Sequence, residues 1–276
     1  MFQVRFWGVR GSIPCPGPDT VIYGGNTACI EIRAGERLII VDLGSGVRPL
    51  GDYLLKEESR KFGKVSADIF ITHTHWDHIM GFPMFTPIYI NNTELRITGP
   101  DSPNKSLKEI FELQLSYNYW PVQLENLSAK IEYNQIKETT ISLDGDLTVT
   151  SKFLNHPTEC LGYRFNYEGK SITIIYDHEP FPDKERNQGI IDFIKETDLL
   201  IHDAQYTDEE YTTRIGWGHS TMITAIQTAV SAKVKKLVLF HHDPSRQDDL
   251  LEKYEKRYES IEVPCVMARE GMLLDI

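Results

Sequence analysis

The chain has 276 residues, 41% of them apolar, and a formal net charge of −11 at neutral pH. That length suits one large α/β domain or two small ones, and the charge weighs against tight binding to long nucleic acids, which rests on many Lys and Arg contacts to phosphate. No apolar run approaches ~18 residues, which argues against a membrane span. The start, Met1-Phe2-Gln3-Val4-Arg5-Phe6-Trp7, lacks the basic and apolar regions of a signal peptide. Cys15, Cys29, Cys160 and Cys265 are scattered without a C-x-x-C, as in reduced thiols. A cytoplasmic protein is expected.

Residues 2–6 alternate as a strand, followed by a loop rich in Gly and Pro through Pro18. Gly24-Gly25-Asn26-Thr27 turns into the strand 28–32. Leu38–Val41 is a third strand, ending in Asp42-Leu43-Gly44-Ser45-Gly46. Residues 47–61 suit a helix with Leu50, Tyr53 and Leu54 on one face. The strand 67–71 then runs into His73-Thr74-His75-Trp76-Asp77-His78, and Gly81, Pro83 and Pro87 keep any following helix short. Leu95–Thr98 is a strand, Ser106 with Glu109 is a capping box, and 131–149 is strand-like with an Asp144-Gly145 hairpin signal. Further strands are expected over 161–165, 171–176, 199–201 and 237–240, and a last one from Val263. Helices are expected near 190–196, after Ser220 and over 247–259. The two similar runs of strands and helices, with no interior linker, fit a single αββα domain over residues 1–276, two mixed sheets face to face with helices outside.

The chemistry concentrates at strand ends, where α/β folds place their sites. In extended backbone, side chains at i and i+2 share a side, so His73 and His75 can hold one ion while Asp77 and His78, past the turn, point towards a second. Mixed His and carboxylate ligands suit Zn²⁺, and also Mn²⁺ or Fe. A polar turn needs no such order of residues. Later strand ends carry His156, Asp177, His202, Asp203 and His241. His156 or His241 alone reads as an ordinary loop histidine; Asp177, one step past an apolar strand, suits a carboxylate offering one oxygen to each of two cations.

The His73–His78 run resembles the dinuclear motif of the metallo-β-lactamase superfamily, in the ribonuclease Z and cyclic-nucleotide phosphodiesterase branch. The Gly-Ser-x-Pro turn, Gly-Gly-Asn-Thr and Asp-x-Gly-x-Gly ahead of it are similar to the same branch. The resemblance implies one site of His73, His75 and His156, a second of Asp77, His78 and His241, and Asp177 bridging two divalent ions. It puts Asp42 beneath the metals as a partner of a ligand histidine, against the alternative of a helix or turn cap. His241 is preferred to His242 because it directly follows its strand. His178 stands where a small residue is usual and is expected to face solvent. Leu200–Ala204 and Gly218–Thr221 are similar to two ribonuclease Z motifs, which makes His219 a proton donor oriented by Asp203, with Asp where that family has Glu; the alternative is a histidine beside a helix cap.

The resemblance implies a hydrolase in which hydroxide held by the ions, with Asp77 in the site, attacks phosphorus and His219 protonates the leaving oxygen. A small phosphodiester, a cyclic nucleotide first, is the expected substrate. The ribonuclease Z family carries a long tRNA-gripping insert between its third-motif His and the bridging Asp, whereas only 21 positions separate His156 from Asp177. A tRNA 3′-processing nuclease is the runner-up. A β-lactamase, a flavodiiron protein and a non-catalytic binding module are disfavoured by the ligand set. Phe82, Phe85 and Trp120 are candidates for a base-binding wall, with core packing as the alternative. Expected partners are the small substrate and at most a second copy of the chain, with no long nucleic acid and no membrane.

Overall fold

The computed structural model describes residues 1–258 and 261–276, so Glu259, the last residue of one expected helix, lies outside the described residues. The first sheet uses β1 (Phe2–Gly8), β2 (Cys29–Ala34), β3 (Arg37–Val41), β4 (Val65–Phe70), β5 (Thr93–Pro100) and β6 (Lys130–Ile136). The second uses β7 (Thr140–Asp144), β8 (Leu147–Phe153), β9 (Leu161–Tyr167), β10 (Lys170–Ile175), β11 (Leu199–Asp203), β12 (Leu237–Phe240) and β13 (Cys265–Met267). The last strand, β14 (Leu273–Asp275), returns to pair with β1. The spatial orders are β14-β1-β2-β3-β4-β5-β6 and β13-β12-β11-β10-β9-β8-β7. In both sheets an antiparallel half gives way to a parallel half, β3 through β6 and β10 through β13.

The sheets pack face to face. Phe6, Ile32 and Phe70 of the first share a core with Phe165, Ile174 and Phe240 of the second. The central parallel strands β3, β11 and β12 are buried on both faces because helices cover their outer sides. On the first sheet these are α1 (Val47–Phe62) and α3 (Leu107–Gln114), with the four-residue α2 (Trp76–Ile79) between them in sequence. Leu50, Leu54 and Phe111 bury against Ile40, Ile69 and Ile97. On the second sheet α4 (Lys184–Ile194), α6 (Met222–Ser231) and α7 (Asp248–Tyr258) do the same, with the short α5 (Asp208–Tyr211) before α6. Full burial of each such side chain stabilises by about 1.5–3 kcal/mol.

Local signals act as the sequence suggests at α3, where the Ser106–Glu109 capping box forms. At α4 they act earlier than expected. Asp183 accepts from the Glu185 and Arg186 amides and starts the helix at Lys184, and it ends at Ile194 rather than Glu196. Its first turn is polar, so periodicity revealed only the apolar second half. Among the described residues no helix is long and apolar enough to cross a membrane.

Candidate metal centre

The C-terminal ends of β4, β10, β11 and β12 converge with β3 at one edge of the sandwich. His73 follows β4, and His75 caps α2, whose single turn carries Asp77 and His78 inward. Asp42, Asp177 and His241 lie one or two residues past their strands with φ of 61°, 38° and 63°. Left-handed backbone is uncommon for such residues and marks positions held by their surroundings.

The seven side chains expected at the metals come together in two groups that share Asp177. His73, His75, His156 and Asp177 form one group; Asp77, His78, Asp177 and His241 form the other. Within each, the ligand atoms lie within 4.8 Å of one another. Asp177 divides its oxygens between them: Oδ2 is 3.4 Å from His73 Nε2 and 3.8 Å from His156 Nε2, and Oδ1 is 3.3 Å from both His78 Nε2 and His241 Nε2. Asp77 Oδ2 stands 3.1 Å from His241 Nε2.

These atoms fit a pair of divalent cations. His73 Nε2 and Asp177 Oδ1 are buried without a hydrogen-bond partner, which costs free energy unless something else satisfies them. His78 Nε2 faces His241 Nε2 at 3.2 Å, and His75 Nδ1 faces His156 Nε2 at 3.0 Å. Opposed ring nitrogens around a carboxylate are the donor set of Zn²⁺ and related ions.

The outer ring nitrogens are anchored, which fixes the inward lone pairs. His78 Nδ1 donates to Asp42 Oδ2 at 2.7 Å, and Asp42 also accepts from the Thr72 amide and hydroxyl. Asp42 is therefore the partner of His78, one of the expected ligands; the cap position of α1 belongs to Gly46. His156 Nδ1 donates to the Gly218 carbonyl at 3.0 Å, and His241 Nδ1 to Gln205 Oε1 at 3.1 Å. His242 instead donates to the Ala268 carbonyl. Sequence reasoning passed over Gln205 and Gly218; only their nearness to Asp203 and His219 hinted at them.

Electrostatics follow from this packing. Burial opposes a charge on His78, but Asp177, Asp77 and Asp42 reverse it and push the imidazole well above its ordinary value. Burial would raise the Asp77 carboxyl, but His78 and His241 hold it well below the usual carboxylate range. His156, mainly through burial, falls to about 4, which keeps it neutral and able to ligate.

Asp203 and His219 also meet at this edge. His219 Nδ1 is 3.2 Å from Asp203 Oδ2, and its ring stacks on His241 at 5.1 Å. Burial lowers the His219 pKa, yet Asp203 and Asp177 raise it to about 9. The cap of α6 is Thr221, two residues after His219. Asp203 Oδ2 further accepts from the His178 and Ser220 amides.

Two expectations are corrected. His178 is buried, not solvent-facing: its Nδ1 accepts from the Asn155 amide, and burial takes its pKa down to about 3. Phe82 and Phe85 are fully buried core residues, Phe82 stacking edge-on with Phe111, and Trp120 donates to the Tyr89 hydroxyl. The open cleft beside the centre, about 580 Å³, is instead bounded by His156, Pro157, Glu179, Phe181, Tyr211 and Ile215. His202 is buried and contacts the Asp203 carbonyl, outside both ligand groups.

Residues 21–242 match the family model described as "Beta-lactamase superfamily domain". Ribonuclease Z of Clostridium novyi is 26% identical, covering 87% of this chain and 88% of its own length. Ribonuclease Z of Sulfurisphaera tokodaii is 28% identical over 77% and 80%. Among solved structures, the short form of human tRNase Z superposes with a TM-score of 0.71 at 22% identity, covering 99% of both chains. Unliganded yeast PDE1 superposes at 0.69 and 14% identity, covering 100% and 99%. The expectation of no long nucleic acid rested on the short His156–Asp177 connection and on net charge, a whole-chain sum that says little of the field at one edge. The chain belongs to the metallo-β-lactamase superfamily, in its ribonuclease Z and phosphodiesterase branch, and is a metal-dependent hydrolase.

Proposed function

We infer that the chain is a two-metal phosphodiesterase of ribonuclease Z type that cuts a P–O bond in RNA. The observation that carries it is the shared Asp177, with one oxygen turned to each histidine group, beside an Asp203–His219 pair that belongs to neither of those two groups. The ribonuclease Z names of the relatives support the RNA substrate over the cyclic nucleotide expected first. Two divalent ions, zinc being the first choice for this donor set, supply Lewis acidity and ionised water near neutral pH.

The chain's own residues do the rest. His73, His75 and His156 hold one position, Asp77, His78 and His241 the other, and Asp177 both. Hydrolysis delivers water's oxygen to phosphorus and a proton to the leaving alkoxide. His219, held up to about 9 beside Asp203, carries that proton at neutral pH.

A second reading has one specific observation in its favour. β9 and β10 are joined only by Glu168-Gly169, both at positive φ, in a tight hairpin where the arm of ribonuclease Z would be inserted. This favours a compact substrate such as a cyclic nucleotide. Zinc-loaded protein assayed on a tRNA precursor and on a panel of cyclic nucleotides decides between them. Trimming of the precursor at physiological salt supports the first reading; turnover of cyclic nucleotides alone replaces it with the second; no turnover of either overturns both.

A further inference from the structure

We propose that Glu179 is a positioning residue that sets the orientation of His156 through Gly218, and so controls the His73–His75–His156 metal position selectively. The proposal rests on the two-metal reading above and extends it to a residue outside the ligand set.

Glu179 lies two residues past Asp177 and is buried. Its backbone amide donates to the Asn155 carbonyl at 2.9 Å, next to His156. Its carboxylate faces the other way, towards Tyr211 at the end of α5 and the loop 212–218. Oε1 accepts from the Tyr211 hydroxyl at 2.6 Å and the Gly216 amide at 2.9 Å; Oε2 accepts from the Gly216 and Gly218 amides, each at 2.9 Å. One carboxylate thus organises a loop that has no regular structure of its own.

The Gly218 carbonyl in turn accepts from His156 Nδ1 at 3.0 Å. Gly218 has φ of +87°, and a Cβ there would sit 2.2 Å from His156 Nδ1. Loop and imidazole are therefore in direct contact, and the loop's peptide orientation decides whether His156 meets a carbonyl. With the carbonyl in place, the proton stays on Nδ1 and the Nε2 lone pair turns inward. A glutamine at 179 offers only one acceptor oxygen. If that oxygen serves Tyr211 and Gly216, the amide NH₂ opposes the Gly218 N–H, donor against donor. The Gly218 amide then loses its anchor, Gly218 shifts, and the carbonyl on its far side no longer meets His156.

The test is NMR of metal-free protein together with zinc titration. In the wild type the Gly216 and Gly218 amides should exchange slowly, and imidazole ¹⁵N shifts should show His156 protonated on Nδ1. Free exchange of both amides in the wild type overturns the proposal without any variant. In Glu179→Gln the Gly218 amide should exchange quickly and His156 should become a mixture of tautomers. Chelator competition should then release one ion with ~10–100-fold weaker affinity, as for other partners of metal-ligating histidines, while the other stays at its wild-type affinity. Tyr211→Phe removes only the phenol contact and should keep the wild-type tautomer. An unchanged His156 in Glu179→Gln, or equal weakening of both ions, overturns the proposal. Wild-type protein that binds no zinc overturns the two-metal reading, and the selective control of a metal position with it; the tautomer and exchange results then still say whether Glu179 orients His156.

Discussion

The Ser12 amide donates to Asp77 Oδ2 at 2.7 Å, joining the loop after β1 to the turn of α2. Ser12 itself has φ of 64°, and Gln205 Nε2 donates to its hydroxyl while Gln205 Oε1 takes His241 Nδ1. Two ligands of the Asp77–His78–His241 position are thus steadied through one serine.

The neighbouring Gly11 has no room for a side chain. A Cβ there would lie 2.5 Å from the His241 ring, closer than real contacts, so the ring must move. Gly11→Ala should weaken the second ion by on the order of 10–100-fold and leave the first in place. Ser12→Gly keeps the amide to Asp77 and relieves the left-handed backbone but frees Gln205, and should weaken the second ion less than Gly11→Ala does. Chelator titration followed by elemental analysis measures the difference.

Protein prepared without chelator should contain close to two transition-metal ions per chain. Asp77→Ala should deplete mainly the ion shared with His78 and His241, His73→Ala mainly the ion shared with His75 and His156, and Asp177→Ala both. A folded, active protein free of metal would rule out the assignment.

His219→Ala should lose ~10²–10⁴-fold activity on a substrate with a nucleoside alkoxide leaving group. It should lose far less on bis-p-nitrophenyl phosphate, whose leaving group needs no proton, with metal content unchanged. Equal losses would make His219 a phosphate-binding group instead. Asp203→Asn should show the same selectivity more weakly and lower thermal stability as well, because that carboxylate also holds the His178 and Ser220 amides.

Asp198 ties the start of β10 to β11. It accepts from the Ser171 amide at 2.8 Å and from Lys235 Nζ at 2.7 Å. Burial opposes its ionisation, but Lys235 and Ser171 outweigh it and hold the carboxyl below the usual range. A depressed carboxyl stabilises the fold above its unfolded pKa, and that contribution is lost as pH falls through the folded value. Asp198→Asn should cost roughly 1 kcal/mol at neutral pH, and the gap from wild type should close in acid. Urea unfolding at a series of pH values checks this; a gap independent of pH would contradict it.

The strands that deliver the site were readable because 69–71, 174–176 and 237–240 are apolar on both faces, and a strand end buried on both sides leaves an uninterrupted run. The histidine spacing was readable because short-range geometry decides it. What stayed hidden depends on contacts between distant segments. The burial of His178 comes from Asn155 and its surroundings, and the helix from Lys184 begins with a polar turn that only its Asp183 cap explains. Phe82 and Phe85 looked available for a ligand, but Phe82 packs edge-on against Phe111 of α3 and Phe85 lies against Gly51 of α1. Gly218 opened a recognised motif without a role of its own and Gln205 stood just past another, since their tasks exist only once two loops meet.

His73, His75, Asp77 and His78 belong to the first sheet, and His156, Asp177 and His241 to the second, so each metal position draws on both halves of the sandwich. An ion bound there is a cross-link as well as a reagent. Its binding free energy adds to the cohesion between the sheets, because separated sheets offer no complete ligand set. Removing metal should therefore lower the melting temperature and loosen hydrogen exchange across the shared core, far from the edge where the ions sit.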